Sequence, residues 1–306
     1  MSFSIPVVDY RDSLAGGERR AAFAKALGEA LESIGFVAVT HHGLRDGLLA
    51  EAYQVSQDVF ALPDAVKQQY ETPEDGRQRG YTSFGVEHAK DTAAPDLKEF
   101  WHVGRTLPAD HELVQSGDVP ANQFPSELPA FGATMSELFA AQERFANRLL
   151  EDLGDYLELP PGTFADLIEN GNSVLRVIHY PDQEGEVPAG AVRAAQHEDI
   201  NLITVLPAST RPGLQILTRD GEWLPVTTPP DVMICDTGDM MQLITGGRLP
   251  ATTHRVVNPE GADGGRLSMP FFLHPNPHRM LTPFWGGEAV SVKDFFFERL
   301  RDIGVA

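Results

Sequence analysis

The chain has one cysteine among 306 residues, so no disulfide can form within it. Cys235 lies inside the apolar run "DVMICD", the setting of an inert buried thiol and not of a nucleophile. A reduced, cytoplasmic environment is the expectation. Basic residues are also scarce: 24 Lys and Arg stand against 44 Asp and Glu, for a net charge of −20. That surplus repels a nucleic acid backbone and an anionic membrane surface, leaving a small molecule as the expected partner, with no obligatory protein partner implied. No apolar run approaches the roughly 20 residues needed to span a bilayer. The start "MSFSIPVVDYRD" lacks the basic segment and apolar core of a signal peptide. Internal repeats, low-complexity tracts and long linkers are missing too, which predicts a single domain over 1–306.

What is present changes character along the chain. "IPVVDY" predicts a short strand, and "ERRAAFAKALGEALESIG" places Phe23, Leu27, Ala30, Leu31 and Ile34 on one helical face before Gly35. A strand "FVAVTHHG" and a helix over 44–62 follow, the helix ending at Pro63. Residues 72–122, rich in Gly, Pro and charge, read as irregular structure. Apolar residues from Phe131 to Leu153 recur at three to four, predicting a long helix over 128–157.

After about residue 160 short β-rich runs dominate: "NLITVL", "LQIL", "WLPV", "DVMICD", "MQLIT", "THRVV" and "RLSMPFFL". Turn signals such as "PASTRPG", "TRDGE", "TTPPD" and "NPEGADGG" separate them, the pattern of a sandwich or barrel. "SVKDFFFERLRDI" closes the chain as a helix with Ser291 and Asp294 as a capping pair. The expected architecture is a β core wrapped by N-terminal helices.

At the mouth of the first apolar run, "AAQHEDINLITVL" sets His197 and Asp199 two positions apart. On a strand such residues share a face while Glu198 points away. Two histidines and one carboxylate make a facial iron site that leaves positions open for substrate and oxygen. His254 in "ATTHRVV" is a candidate third ligand. Arg266 and Ser268 in "GRLSMPFF" form a second i, i+2 pair, a fork and a hydroxyl suited to a carboxylate. They follow His254 by 12 residues, which predicts adjacent antiparallel strands. A surface ion pair, a core histidine and a solvated arginine are the alternative readings of these residues.

Together, "HEDINLITVL", "PGLQIL", "GEWLPV", "GDMMQLITGGRLPATTHRVVNP" and "GRLSMPFF" resemble the C-terminal half of the isopenicillin N synthase-like family of non-haem Fe(II)/2-oxoglutarate-dependent dioxygenases. "IPVVDY" with "ALESIGFVAVTHHGL" resembles that family's N-terminal region. The resemblance implies an α+β chain with a mainly β core, a double-stranded β-helix (jelly-roll) flanked by N-terminal helices and a C-terminal helix. It divides the chain into an N-terminal region over 1–125, a helical segment over 126–169 and the jelly-roll over 170–280. It further implies Fe(II) on His197, Asp199 and His254, and 2-oxoglutarate held by Arg266, Ser268 and Tyr180, with O2 as the other co-substrate. Many plant members of the family carry asparagine at the place of Ile178, a departure that bears on plant substrate chemistry and leaves the triad untouched.

The implied reaction is oxidation of an unactivated C–H bond of a small organic substrate (hydroxylation, desaturation or cyclisation), with release of succinate and CO2. "RQRGYTSFG" and "DLKEFWHVG" resemble the stretch from which the family draws pocket residues, making Arg79, Tyr81, Phe84, Phe100, Trp101 and His102 candidates, together with Phe272 and His274. Arg79 is the candidate partner for a substrate carboxylate. Two alternatives stand beside this reading: a 2-oxoglutarate-independent oxidase of the same fold, and a non-catalytic jelly-roll binding protein.

Overall fold

A computed structural model describes residues 5–86, 97–182, 193–227, 229–257 and 265–302. The first four residues, and all but the last of the expected turn "NPEGADGG", lie outside them. The strands that position the site are β1 (Val7–Asp9), β2 (Phe36–Thr40), β3 (Gly80–Thr82), β4 (Glu99–Gly104), β5 (Val174–Tyr180), β6 (Ala194–His197), β7 (Ile203–Pro207), β8 (Leu214–Leu217), β9 (Trp223–Pro225), β10 (Val232–Thr237), β11 (His254–Val256), β12 (Arg266–Ser268) and β13 (Phe271–Leu273). A large sheet runs β1-β2-β10-β7-β13-β5-β4-β3, with β12 also paired to β5. A small sheet runs β6-β11-β8-β9. The pairing of β1 with β2 is parallel and the other pairings among these strands are antiparallel. Two facing sheets with helices outside make the jelly-roll.

Cross-strand partners share a face, so the register sorts every side chain of the large sheet. Phe36 pairs with Asp236, Asp236 with Thr204, Thr204 with Phe272 and Phe272 with Val174. Two-residue steps along β5 add Arg176, Ile178 and Tyr180, whose partners are His102, Phe100 and Arg266. This is the inner face, turned toward the small sheet. Near β10, Phe36, Ala38, Val232 and Ile234 pack there against Leu214 and Ile216. The polar residues occupy the stretch between that apolar cluster and a second one of Phe100, Ile178 and Tyr180.

The alternate residues point outward. Leu175, Val177, Val205, Cys235, Trp101 and Phe271 join the main hydrophobic core beneath the helices Gly17–Ile34, Leu48–Phe60 and Pro129–Tyr156. Each such burial contributes about 1.5–3 kcal/mol for a Val, Leu or Phe side chain. The long helix spaces Phe131, Met135, Leu138, Phe145, Leu149 and Leu153 as the sequence predicts. Val292–Asp302 is the terminal helix, with the Asp294 N–H donating to Ser291 Oγ at 3.3 Å. Among the described residues no helix is long and apolar enough to cross a membrane.

Four expectations need correction. "MQLIT" is a helix, Asp239–Ile244, because its buried Met240, Met241 and Ile244 follow a helical step and its first N–H groups cap the preceding turn. The stretch 72–122 contains β3 and β4; all six residues of β4 are buried, so the alternation that marks a half-exposed strand is missing. The strands of His254 and Arg266 are not neighbours: β11 pairs with β6 and β8, and β12 with β5. Leu267 is buried in the helix-side core, which only the large sheet can offer. Asp199 lies past the end of β6, in the turn that leads into β7.

Candidate active site

The metal-facing atoms come from the small sheet and from the turn that leaves it. His197 and His254 are cross-strand partners at the edge of the small sheet, their ring centroids 4.4 Å apart. Asp199 Oδ1 lies 3.8 Å from His197 Nε2 and 3.7 Å from His254 Nε2. One potential ligand atom from each residue lies within 4.8 Å of the others, and no second such group occurs among the described residues. Donor atoms that each bond one ion at roughly 2 Å stand about 3–4 Å apart, so the three converge on one centre and would draw in around an ion.

Hydrogen bonds at the back of each group aim it. His197 Nδ1 lies 2.7 Å from the Ala195 carbonyl and His254 Nδ1 3.1 Å from the Thr252 carbonyl. A carbonyl only accepts, so both rings carry hydrogen on Nδ1 and present a bare Nε2 lone pair to the centre. Desolvation of the ring, helped by the neighbouring His254, pulls His197 down to about 4, so it stays neutral and ligand-competent at pH 7. Thr204 donates its hydroxyl to Asp199 Oδ2 and accepts from Asn201 Nδ2 at 2.9 Å. Burial and the adjacent Asp199 push Asp236 well above the usual carboxylate range, which keeps it protonated. These donor atoms and their supports fit Fe(II).

The turn carrying Asp199 is fixed from behind. The Asp239 N–H donates to the Asp199 carbonyl at 2.7 Å, and Met240 N–H reaches the carbonyls of Ile200 and Asn201 at 3.2 Å. Gly238 permits this approach, since a Cβ there would collide with the carbonyl oxygens of Asn201 and Asp199.

Farther along the inner face stands the anion end. Arg266 is 1% exposed and Tyr180 2%. Arg266 Nε donates to the Arg211 carbonyl at 3.1 Å and Nη2 to Ser209 Oγ at 2.9 Å, while Nη1 is buried with no hydrogen-bond partner. A buried N–H of a cation left unpaired is costly, and a carboxylate oxygen would complete it. Ser268 lies on the same face, opposite Ile178. Arg193 is a second buried guanidinium, its Cζ 5.9 Å from the Tyr180 ring. These groups fit a dicarboxylate such as 2-oxoglutarate.

The structure divides the remaining candidates. Phe100, His102 and Phe272 stand on the inner face, and His274 continues that face past the end of β13. Burial lowers His274 to about 4, and its ring meets Phe296 of the terminal helix edge-on at 5.3 Å. Trp101 and Tyr81 belong instead to the helix-side core: Trp101 packs on Tyr70, Tyr81 and Phe131, and Tyr81 donates to the buried Glu99. Phe84 is exposed. Arg79 lies flat on Gly104, with Nη1 on the Gln78 carbonyl and Nη2 on Asn172 Oδ1. His179 points outward as strand alternation predicts, stacking on Phe60 and bonding Glu99 at 2.7 Å. Sequence reasoning missed Arg176, Thr204, Asp236 and Arg193. Alternation from Tyr180 would have found Arg176, and the acid inside "DVMICD" was a visible signal for Asp236.

Comparison with known proteins adds an independent line. The profile of the 2OG-Fe(II) oxygenase superfamily matches residues 171–275, and that of the non-haem dioxygenase N-terminal region (named for morphine synthesis) matches 5–127. A 2-oxoglutarate-dependent dioxygenase of Dothideomycetidae sp. is 32% identical over 298 residues, covering 89% of this chain and 86% of that one. A crystal structure of a protein assigned to the 2OG-Fe(II) oxygenase family, from Caulobacter crescentus, superposes with a TM-score of 0.87 at 35% identity, covering 99% of this chain and 100% of the other. A full-length Neurospora crassa protein crystallised in complex with alpha-KG shares the fold, with a TM-score of 0.85 at 24% identity over 97% of this chain and 95% of that one. Since two profiles, a long relative and the side-chain arrangement agree, the chain belongs to the 2OG-Fe(II) oxygenase superfamily, within the isopenicillin N synthase-like non-haem dioxygenases, enzymes that use Fe(II), 2-oxoglutarate and O2 to oxidise small molecules.

Proposed function

We propose that His197, Asp199 and His254 hold the iron, that Arg266 with Ser268 and Tyr180 holds the distal carboxylate of 2-oxoglutarate, and that a C–H bond of a small organic substrate is hydroxylated, desaturated or cyclised beside them. The observation that carries this reading is a convergent His-Asp-His set on one side of the roll and, on the large sheet of the same roll, a buried guanidinium whose Nη1 is unpaired. Bound iron, with 2-oxoglutarate and O2, supplies the oxidising power and yields succinate and CO2. The chain's share is positional. Thr204 and the N–H of Asp239 hold Asp199, backbone carbonyls hold the imidazoles, and Ile178 with Phe100 and Phe272 forms an apolar wall that excludes water from the reacting centre. We read 1–306 as one functional unit acting in the cytoplasm, without nucleic acid or membrane as partner, in keeping with the charge of −20 and the single buried thiol.

Protein prepared without oxygen, then given Fe(II), 2-oxoglutarate and O2, is expected to form succinate. Asp199→Ala is expected to lose both iron and succinate formation. Equal iron in the two proteins, or no 2-oxoglutarate consumption by the wild type, overturns the reading.

A further inference from the structure

The terminal helix Val292–Asp302 walls a cavity of about 80 Å³ that no step above uses. Val292, Phe296 and Phe297 line it from the helix, Met240 and His274 from the body. Both body residues belong to the surroundings of the triad. The Met240 N–H holds the carbonyls of Ile200 and Asn201 in the Asp199 turn. His274 stands two residues past Phe272, the cross-strand partner of Thr204, which donates to Asp199. The space is far smaller than the roughly 300–1,000 Å³ of a small-molecule site, so an organic molecule fits there only if a wall moves.

The wall with the least support is the helix. Among the described elements its backbone packs closely only on the short strand Val290–Ser291 that leads into it, whereas the long helix Pro129–Tyr156 lies against three other helices and three strands. Val292, Phe295 and Leu300 are its buried apolar residues, and Phe296 meets His274 edge-on at 5.3 Å. Eleven residues of helix are marginal without tertiary packing, and an element with few neighbours opens at low local cost. Two ion pairs fasten it. Lys293 Nζ lies 2.6 Å from Oδ1 of Asp118, a side chain 7% exposed whose Oδ2 also meets Ser116 Oγ at 2.7 Å and His278 Nε2 at 2.8 Å. Arg299 Nε lies 3.0 Å from Oδ2 of Asp239, the residue whose N–H holds the Asp199 carbonyl.

We infer that the terminal helix is a strap that lifts from the body, parting Lys293 from Asp118 and Arg299 from Asp239, and so opens the cavity at Met240 and His274 to a small organic molecule; that this molecule is the substrate rests on the oxygenase reading above. With the strap down, Val292 and Phe296 cover the space beside the Asp199 turn and keep water from it. Closure also bears on Asp239, which is both the partner of Arg299 and the backbone donor that steadies Asp199.

The test is thiol labelling of the full chain with dithiobis(nitrobenzoate), a reagent too bulky for the closed cavity. Met240→Cys and, separately, Pro275→Cys put a thiol on buried positions of the cavity wall. The native Cys235, buried in the helix-side core, reports unfolding of the whole protein in the same sample. The introduced thiol is expected to react about ten-fold or more faster than Cys235. Lys293→Gln and Arg299→Gln are each expected to speed it further, about three-fold or more, without changing the rate at Cys235. An introduced thiol no faster than Cys235, one as fast as in urea-unfolded protein, or ion-pair variants that leave its rate unchanged or raise both rates together would each overturn the strap. Thermal melting checks that each variant folds. Hydrogen exchange needs no change in the cavity: amides of 292–302 are expected to exchange faster in Lys293→Gln than in wild type while those of 129–156 keep their rates, and an unchanged helix overturns the inference as well. Neither measurement uses iron or 2-oxoglutarate, so failure here is separate from failure of the succinate assay, which tests the oxygenase reading alone.

Discussion

Arg266 and Tyr180 stand directly opposite each other on β12 and β5, with the guanidinium carbon 5.1 Å from the ring centroid. The pairing ties the cation to the large sheet, and burial lowers the pKa of Arg266 from its ordinary value, so an anion at Nη1 relieves an electrostatic cost already present in the fold.

Replacing that cation should therefore act on co-substrate binding. Arg266→Gln is expected to raise the KM for 2-oxoglutarate by roughly 10–100-fold, the size of one lost charge-assisted hydrogen bond. Iron content should stay near the wild-type level. An unchanged KM would remove Arg266 from the binding site.

Gly238 offers a test of the turn that carries Asp199. A methyl group there meets backbone oxygens on two residues and cannot be absorbed by a side-chain rotation. Gly238→Ala is expected to lower stability by about 1–3 kcal/mol in urea unfolding and to weaken iron binding along with it. Wild-type values for both would show that the turn has room to spare.

The histidine at the end of β13 predicts a pH dependence. His274 has a folded-state pKa of about 4 against an ordinary value of 6.5, owing mainly to burial. As pH falls below 6.5 the unfolded chain takes up this proton first, so the stability of metal-free protein should decline down to about pH 4, where the folded form begins to take it up as well. His197 acts in the same direction. His274→Asn should flatten the slope by up to about 1.4 kcal/mol per pH unit in that window. Chemical unfolding at several pH values measures it, and an identical slope in the variant would count against a buried neutral imidazole.

Much of this arrangement was legible in the sequence, for identifiable reasons. Helices announce themselves by periodicity, and Phe131 to Leu153 did so along most of the long helix. The i, i+2 spacing of Arg266 and Ser268 gave a shared face that the register bears out. The same spacing at His197 and Asp199 led to the right neighbourhood by an imperfect route, since a turn and not a continuing strand brings Asp199 round. β4 was illegible because both of its faces are covered: Trp101 is buried by three rings on the helix side, and Phe100 lies on the other face in the cluster with Ile178 and Tyr180. The sheet assignments of His254 and Arg266 were illegible as well, because strand pairing is settled by which side chains find a core, and short spacing alone permits either a hairpin or a crossing between layers.

A single strand, β5, answers to two masters. Its odd-numbered residues Leu175 and Val177 join the helix-side core, while its even-numbered ones, Arg176, Ile178 and Tyr180, line the inner face of the roll. A lineage carrying this scaffold can therefore rewrite its chemistry one alternate letter at a time, drifting toward new metabolites while the oily half of every strand goes on folding the protein as before.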